Sequence, residues 1–221
     1  MKLDTPFNKR RPFLTQNGRA KLLGPFFVLL SVLTPCFGQG TMTVAFEGQP
    51  PGTFGTISAY SESGMQFWNP YGPQNLARVG SGLSGAPDNG TAYLQVTTGA
   101  RLAFRFTDFS LFNLVSLDLA EYATSLPGPV SLHVVGYRND MTTAITDITT
   151  DGINDGTGPL QDFQTFHFDS TFASLYQVEI LTDRFSIDNV VVGIPEPSTG
   201  GLLLLGAACA FGRSRIKRRR P

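Results

Sequence analysis

Short stretches in which apolar and polar residues alternate recur throughout residues 41–193. Alternation with a period of two predicts β-strands that turn one face towards a core. No stretch of this region keeps a helical period of apolar residues for more than about two turns. The predicted strands cover residues 41–47, 56–61, 91–96, 100–106, 112–122, 129–137, 142–149, 163–168, 174–181 and 185–192.

The segments between these strands predict how the strands pair. Most of them are rich in Gly, Pro and Asp, which favour turns. The short gap at residues 97–99 predicts a hairpin between its two flanking strands, and residues 138–141 predict a second hairpin. Residues 72–90 contain Gly and Pro throughout and predict a long loop. About ten short strands joined by such turns predict an all-β fold, an antiparallel β-sandwich.

An apolar segment near the N-terminus predicts export. Residues 22–33 are apolar, follow a basic region and precede the mostly small residues 35–39. This order is typical of a secretory signal peptide, here residues 1–38, that delivers the chain to a secretion translocon. Arg10 and Arg11 leave a twin-arginine route open beside an ordinary long basic region. Either route places residues 41–193 outside the cytoplasm.

The charge of the chain is strongly segregated. Residues 41–193 hold fifteen Asp and Glu against five Arg and no Lys, so their net charge is −10. This balance argues against nucleic acid as a partner, because phosphate binding requires a basic face. Both cysteines, Cys36 and Cys209, lie in apolar segments outside this region, which therefore contains no disulfide. The stability of the predicted domain must come from its core, with a metal ion as a further possibility.

The C-terminal residues 194–221 contain three parts in a fixed order. Pro195-Glu196-Pro197 comes first, the uncharged apolar residues 200–211 follow, and a basic cluster ends the chain. This order resembles the PEP-CTERM sorting signal of Gram-negative bacteria. The cluster, which the positive-inside rule holds on the cytoplasmic side, consists of Arg213, Arg215, Lys217, Arg218, Arg219 and Arg220.

The resemblance implies recognition by an exosortase-type membrane protease and transfer to the cell surface or the extracellular matrix. A plain C-terminal membrane anchor is the alternative. As a helix, the apolar residues 200–211 would reach roughly 18 Å, whereas the hydrocarbon core of a bilayer is about 30 Å thick. We therefore expect a temporary membrane tether that is removed rather than kept.

Two strand motifs resemble those of carbohydrate-binding-module-like domains. FSIDNVVV at residues 185–192 is similar to their closing strand, and VAFEG at residues 44–48 is similar to their first strand. The resemblance implies a jelly roll in which the first and last strands are close together. It also implies a structural Ca²⁺ site that uses Glu47 and Asp188. The alternative roles are a solvated strand end for Glu47 and a turn cap for Asp188.

Three aromatic residues, Phe67, Trp68 and Tyr71, are candidates for stacking on sugar rings, with burial in the core as the alternative. Residues 151–158 match a calcium loop only in part, and Asp-Gly pairs favour a tight turn there. His133 and His167 lie inside predicted strands, and the sequence contains no recognised catalytic motif.

We therefore expect an exported, non-enzymatic protein that associates with the cell surface or an exopolysaccharide matrix. A glycan-binding module with a defined polysaccharide ligand and a glycan-active enzyme remain as alternatives.

Overall fold

Two antiparallel sheets pack face to face in the computed structural model, which describes residues 40–73, 75–126, 128–153 and 162–195. The all-β antiparallel sandwich that the sequence predicts is therefore confirmed. A single short 3₁₀ turn, Ser170–Phe172, is the only helical element among the described residues. The strands are β1 (Gly40–Val44), β2 (Phe54–Ile57), β3 (Ala59–Glu62), β4 (Met65–Trp68), β5 (Leu76–Val79), β6 (Tyr93–Val96), β7 (Leu102–Phe106), β8 (Asn113–Glu121), β9 (Ser131–Arg138), β10 (Thr143–Thr149), β11 (Gln164–His167), β12 (Leu175–Ile180) and β13 (Phe185–Ile194).

The chain passes repeatedly from one sheet to the other, as in a jelly roll. Sheet A has the strand order β11-β8-β13-β6-β5-β2, and β1 pairs with β13 beside this path. Sheet B has the order β10-β9-β12-β7-β4-β3. Gly40 of β1 lies opposite Ile194 of β13, so the first and last described strands are adjacent, as the resemblance implies.

The strand that organises sheet A is β13. Along one side it pairs with β8, and on the other side it pairs first with β6 and then with β1. Its register with β8 shifts between Asp188 and Val191, where Asn189 has a positive φ of 43°, and again between Val191 and Val192. This bulge inserts one residue and reverses the phase of the following side chains. As a result, Phe185 and Ile187 before the bulge and Val190 and Val192 after it all lie in the core.

Three of the predictions about strands and the segments between them are wrong. The gap at residues 97–99 does not close a hairpin, because β6 belongs to sheet A and β7 belongs to sheet B. The long loop predicted over residues 72–90 contains β5, which pairs with β2 and β6. The strand predicted at residues 56–61 is divided at Ser58 into β2 and β3, which lie in different sheets.

Two of these errors, the hairpin at residues 97–99 and the undivided strand at residues 56–61, have one physical cause. Alternation shows that a strand has a buried face, but both sheets bury a face against the same core, so the pattern does not reveal the layer. The hairpin predicted at residues 138–141 is confirmed, because β9 and β10 pair from Tyr137 opposite Thr143 onwards. Of residues 151–158, only the first three are described, and the Asp151 side chain accepts a hydrogen bond from the backbone N–H of Ile153 at 2.9 Å. This contact is typical of a turn.

Gly80 marks a place where two chain segments touch directly. Its backbone N–H donates to the carbonyl oxygen of Thr53 at 3.0 Å. A Cβ atom at this position would lie 1.9 Å from the carbonyl oxygen of Pro50, a distance that no side chain can occupy. Only glycine at position 80 allows the segment of Pro50 and Pro51 to pack against the end of β5.

We expect Gly80→Ala to lower the free energy of unfolding by about 1–3 kcal/mol, because the backbone must move to relieve the overlap. Chemical denaturation followed through Trp68, the single tryptophan, measures the change. Gly72→Ala is the matched control, since no heavy atom lies within 4 Å of a Cβ at that position. Equal stability of the two variants would contradict the role assigned to Gly80.

Candidate functional site

The outer face of sheet B, which points away from the core, collects aromatic side chains. Along β4, Met65 and Phe67 are buried, whereas Gln66 and Trp68 alternate with them and are only partly buried. The face continues into the turns that follow β4 and β7, where Tyr71 is 63% exposed and Phe109 is 57% exposed. We call this surface the aromatic face, and its rings are those of Trp68, Tyr71, Phe109, Tyr137 and Tyr176.

Two arginines are stacked on these rings. The guanidinium carbon of Arg105 lies 5.0 Å from the ring centroid of Trp68 and 4.2 Å from that of Phe109. The guanidinium carbon of Arg101 lies 4.5 Å from the ring centroid of Tyr71. Cation–π contacts of this kind contribute about 0.5–1 kcal/mol each at exposed sites. They also hold the rings and the guanidinium groups in defined orientations.

A tyrosine–glutamate network forms the other half of the face. The Tyr137 hydroxyl donates to Glu179 Oε2 at 3.2 Å, and Gln177 Nε2 donates to Glu179 Oε1 at 2.7 Å. The Tyr137 and Tyr176 ring centroids are 6.3 Å apart. Burial, followed by the charge and hydrogen bond of Glu179 and by the nearby Tyr71 and Tyr176, raises the pKa of Tyr137 to about 12. Tyr137 therefore keeps its proton and acts as a donor at neutral pH.

The structure separates the three aromatic residues that the sequence singles out. Phe67 is fully buried, with its ring centroid 4.9 Å from that of Phe46 and 5.3 Å from that of Phe104. Its proposed role in sugar stacking is corrected here to a core role, because neighbouring residues of a strand point to opposite faces. Trp68 and Tyr71 do lie on the outer side of sheet B.

Sequence reasoning missed Tyr137, Tyr176, Glu179 and Arg105. All four come from predicted strands, and a signal for them was present. In β7 the core residues Leu102, Phe104 and Phe106 fix the phase, which leaves Arg105 pointing outwards. The phase identifies an outward residue, but it does not show which outward residues of distant strands become neighbours.

The first strand and the closing strand are adjacent, but Glu47 and Asp188 differ in their surroundings. Glu47 is exposed, and the carbonyl oxygens of Phe46 and Glu47 accept hydrogen bonds from Arg78 Nη2, at 3.0 Å for Phe46. Asp188 is fully buried beside the bulge of β13. The carbonyl oxygens that follow β1 are therefore hydrogen-bonded to the guanidinium group of Arg78.

Asp188 accepts hydrogen bonds from three groups. Asn89 Nδ2 lies 2.6 Å from its Oδ2, Thr91 Oγ1 lies 2.9 Å from the same oxygen, and the backbone N–H of Asn189 donates to Oδ1 at 2.7 Å. Burial raises the pKa of Asp188 to about 7, against the effect of these donors, and the charge of Asp118 adds to the increase.

Thr91 explains how a proton on Asp188 can be accommodated. Its hydroxyl has one hydrogen but lies within bonding distance of two oxygens, Asn89 Oδ1 at 2.8 Å and Asp188 Oδ2 at 2.9 Å. When the Thr91 hydroxyl donates to Asn89 Oδ1, a protonated Asp188 can donate its hydrogen from Oδ2 to Thr91 Oγ1. The carboxyl group can therefore hold a proton without losing its partners.

No group of three or more His, Cys, Asp or Glu side chains is placed to hold a metal ion within residues 40–195, as far as these are described. The calcium site of Glu47 and Asp188 stays a prediction. His133 Nδ1 lies 2.5 Å from Asp147 Oδ1, so this histidine has a structural partner.

Of the sorting residues, only Pro195 is described, and it is exposed just after β13. Glu196, Pro197 and the basic residues from Arg213 to Arg220 lie outside the described residues, as does the predicted signal peptide. In the part of the chain that the structure describes, no helix is long and apolar enough to span a bilayer.

No family model and no curated protein matches the chain. Among solved structures, it is similar to the family 11 carbohydrate-binding module of the cellulosomal cellulase Lic26A-Cel5E of Clostridium thermocellum, with 11% sequence identity and a TM-score of 0.27. The similarity covers 72% of this chain and 96% of the module.

The raised pKa of Asp188 leads to a prediction about pH and stability. Between about pH 4 and pH 7 the folded protein holds a proton on Asp188 that the unfolded chain, with its ordinary pKa of 3.8, has released. The free energy of unfolding therefore falls as the pH rises through this window and is constant above it, with a total change on the order of 4 kcal/mol.

Thermal melting of the wild type and of Asp188→Asn at pH 5 and pH 7.5 measures this effect. We expect a smaller decrease in Tm for the variant, because its amide mimics the protonated acid and does not titrate. Glu47→Gln, which removes an exposed carboxylate, should behave like the wild type. The same pH dependence in all three proteins would show that Asp188 does not titrate in this range.

Proposed function

We propose that this chain is an exported, non-enzymatic β-sandwich protein that binds polysaccharide at the cell surface through its aromatic face. The observation that supports this most strongly is the grouping of Trp68, Tyr71, Tyr137 and Tyr176 on one side of sheet B. Export and surface sorting are supported by residues 1–38 and 194–221 of the sequence.

The chemistry of the face suits a sugar polymer. Aromatic rings offer apolar surface with a polar edge, and the planar polar groups of Gln66, Gln177 and Glu179 can exchange hydrogen bonds with sugar hydroxyls. Strands rather than loops hold Trp68 and Tyr137, so little ordering is needed when a ligand binds. Three strand spacings separate β4 from β9 in sheet B, which corresponds to about 14 Å. This span allows contact with several sugar units of an extended chain.

Trp68→Ala and Tyr137→Ala are expected to weaken polysaccharide binding about tenfold each, since each removes one ring and about 1.4 kcal/mol of binding free energy. The measurement is depletion of the full chain, purified in detergent, by polysaccharides immobilised on beads. Phe54→Ala is the matched control, because Phe54 is an exposed aromatic residue of β2 in sheet A. Loss of binding in all three variants, or in none, would argue against the aromatic face.

The same incubations test the enzymatic alternative. A non-enzymatic protein leaves the number of reducing sugar ends unchanged. An increase that disappears when a single acidic residue is replaced would favour a glycan-active enzyme instead.

The sorting part of the proposal predicts a separate result. Replacing Pro195, Glu196 and Pro197 by Ala is expected to leave the full-length chain in the membrane fraction, because the protease would lose its recognition sequence. Cell fractionation with immunoblotting measures this, and Ser198→Ala is the control. If the triple variant and the wild type show the same distribution and the same size, residues 194–221 act as a plain membrane anchor.

A further inference from the structure

The arginines of the described residues fall into two groups. Arg78 and Arg138 donate to backbone carbonyl oxygens, and Arg184 lies 3.8 Å from a carboxylate oxygen of Asp183. Arg101 and Arg105 contact aromatic rings, as Arg78 also does with Tyr60, but within the described residues neither Arg101 nor Arg105 forms a hydrogen bond or an ion pair with an oxygen through its side chain. Both arginines without an oxygen partner therefore lie on the aromatic face.

Arg105 is held in place but left without an acceptor. Its guanidinium lies against the rings of Trp68 and Phe109, and its Nε is buried without a hydrogen-bond partner. Arginine stays charged at any physiological pH, and the two terminal nitrogens of its planar group can bind a carboxylate or sulfate through two parallel hydrogen bonds. Stacking restricts the guanidinium to one plane, which reduces the entropy lost when an anion binds.

The two arginines also have a useful spacing. Arg101 directly precedes β7 and Arg105 lies within it. Because they are four residues apart, their side chains leave the strand on the same side, and their Cα atoms are about 13 Å apart. A polymer that carries repeated anionic groups can contact both of them while its sugar rings lie on the aromatic side chains.

The acidic character of residues 41–193 does not prevent such binding. The Debye length is about 8 Å at physiological ionic strength, so distant carboxylates are screened and the local groups decide. Of the nearby acids, Glu179 is engaged by Tyr137 and Gln177, Asp108 Oδ1 accepts from the backbone N–H of Ser110 at 2.9 Å, and Asp183 Oδ2, beside Arg101, accepts from the backbone N–H of Gly99 at 2.7 Å.

We propose that the aromatic face is selective for acidic polysaccharides, whose carboxylate or sulfate groups are bound by Arg105 with help from Arg101. This inference rests on the proposed function, because it names the class of ligand for the same surface. It assigns the aromatic rings to the sugar backbone and the arginines to the charge.

Matched pairs of polymers test the selectivity. Carboxymethylcellulose and hydroxyethylcellulose share one backbone, and polygalacturonate and its methyl ester share another, so only the charge differs within each pair. The full chain, purified in detergent, is titrated with each polymer coupled to beads. We expect the acidic member of at least one pair to bind at least tenfold more tightly than its neutral partner.

Variants locate the selectivity. Arg105→Gln is expected to reduce binding of the acidic polymer about tenfold and to leave binding of the neutral polymer unchanged. Arg105→Lys keeps the charge but loses the planar group, so an intermediate loss is expected. Arg184→Gln removes one positive charge outside the aromatic face and should bind like the wild type.

The two proposals fail in different ways. Equal binding of the acidic and neutral members overturns the selectivity and leaves glycan binding in place. No binding to any of the four polymers counts against both proposals. Acid-selective binding that Arg184→Gln reduces as much as Arg105→Gln overturns the role of Arg105. The comparison of polymers with the wild-type chain remains decisive even if an Arg105 variant does not fold.

Discussion

The extra residue in β13 is the constraint on which the rest of the sandwich depends. Asn189 adopts a left-handed conformation there, and the inserted residue keeps Ile187 and Val190 in the same core. At the bend, the pairing of β13 with β6 also ends and its pairing with β1 begins. Asp188 anchors the bend from within through Asn89, Thr91 and the backbone of Asn189. The irregular part of β13 around Asn189 thus joins both halves of sheet A.

A sandwich whose chain changes layer repeatedly brings together side chains that are far apart in sequence. Neighbours in sheet B come from β4, β7, β12 and β9, so the aromatic face combines residues between positions 66 and 179. The core side of the same strands fixes the positions of these residues, because each strand has only two faces. Packing of the interior and arrangement of the outer surface are therefore coupled.

The sequence predicted what depends on local order. The β9–β10 hairpin and the closing strand at FSIDNVVV follow from alternation and turn chemistry, and both are present. β5 was missed because its four residues lie among glycines and prolines, and its pairing with β2 and β6 is not a local property. The same limit applies to the candidate site. Trp68 was recognised as one of three aromatic residues that are close together in the sequence. The contact between Tyr137 and Glu179 joins different strands, so the sequence of neither strand predicts it.

Because Gly40 and Ile194 lie opposite each other, the two ends of the sandwich are close together, which favours its insertion into other proteins. A domain whose two ends emerge side by side can be inserted into a surface loop of another protein without forcing the host's flanking segments apart. Copies of such a domain can also be linked in series, because each copy begins and ends at nearly the same place. This position of the two ends follows from a single pair of neighbouring strands.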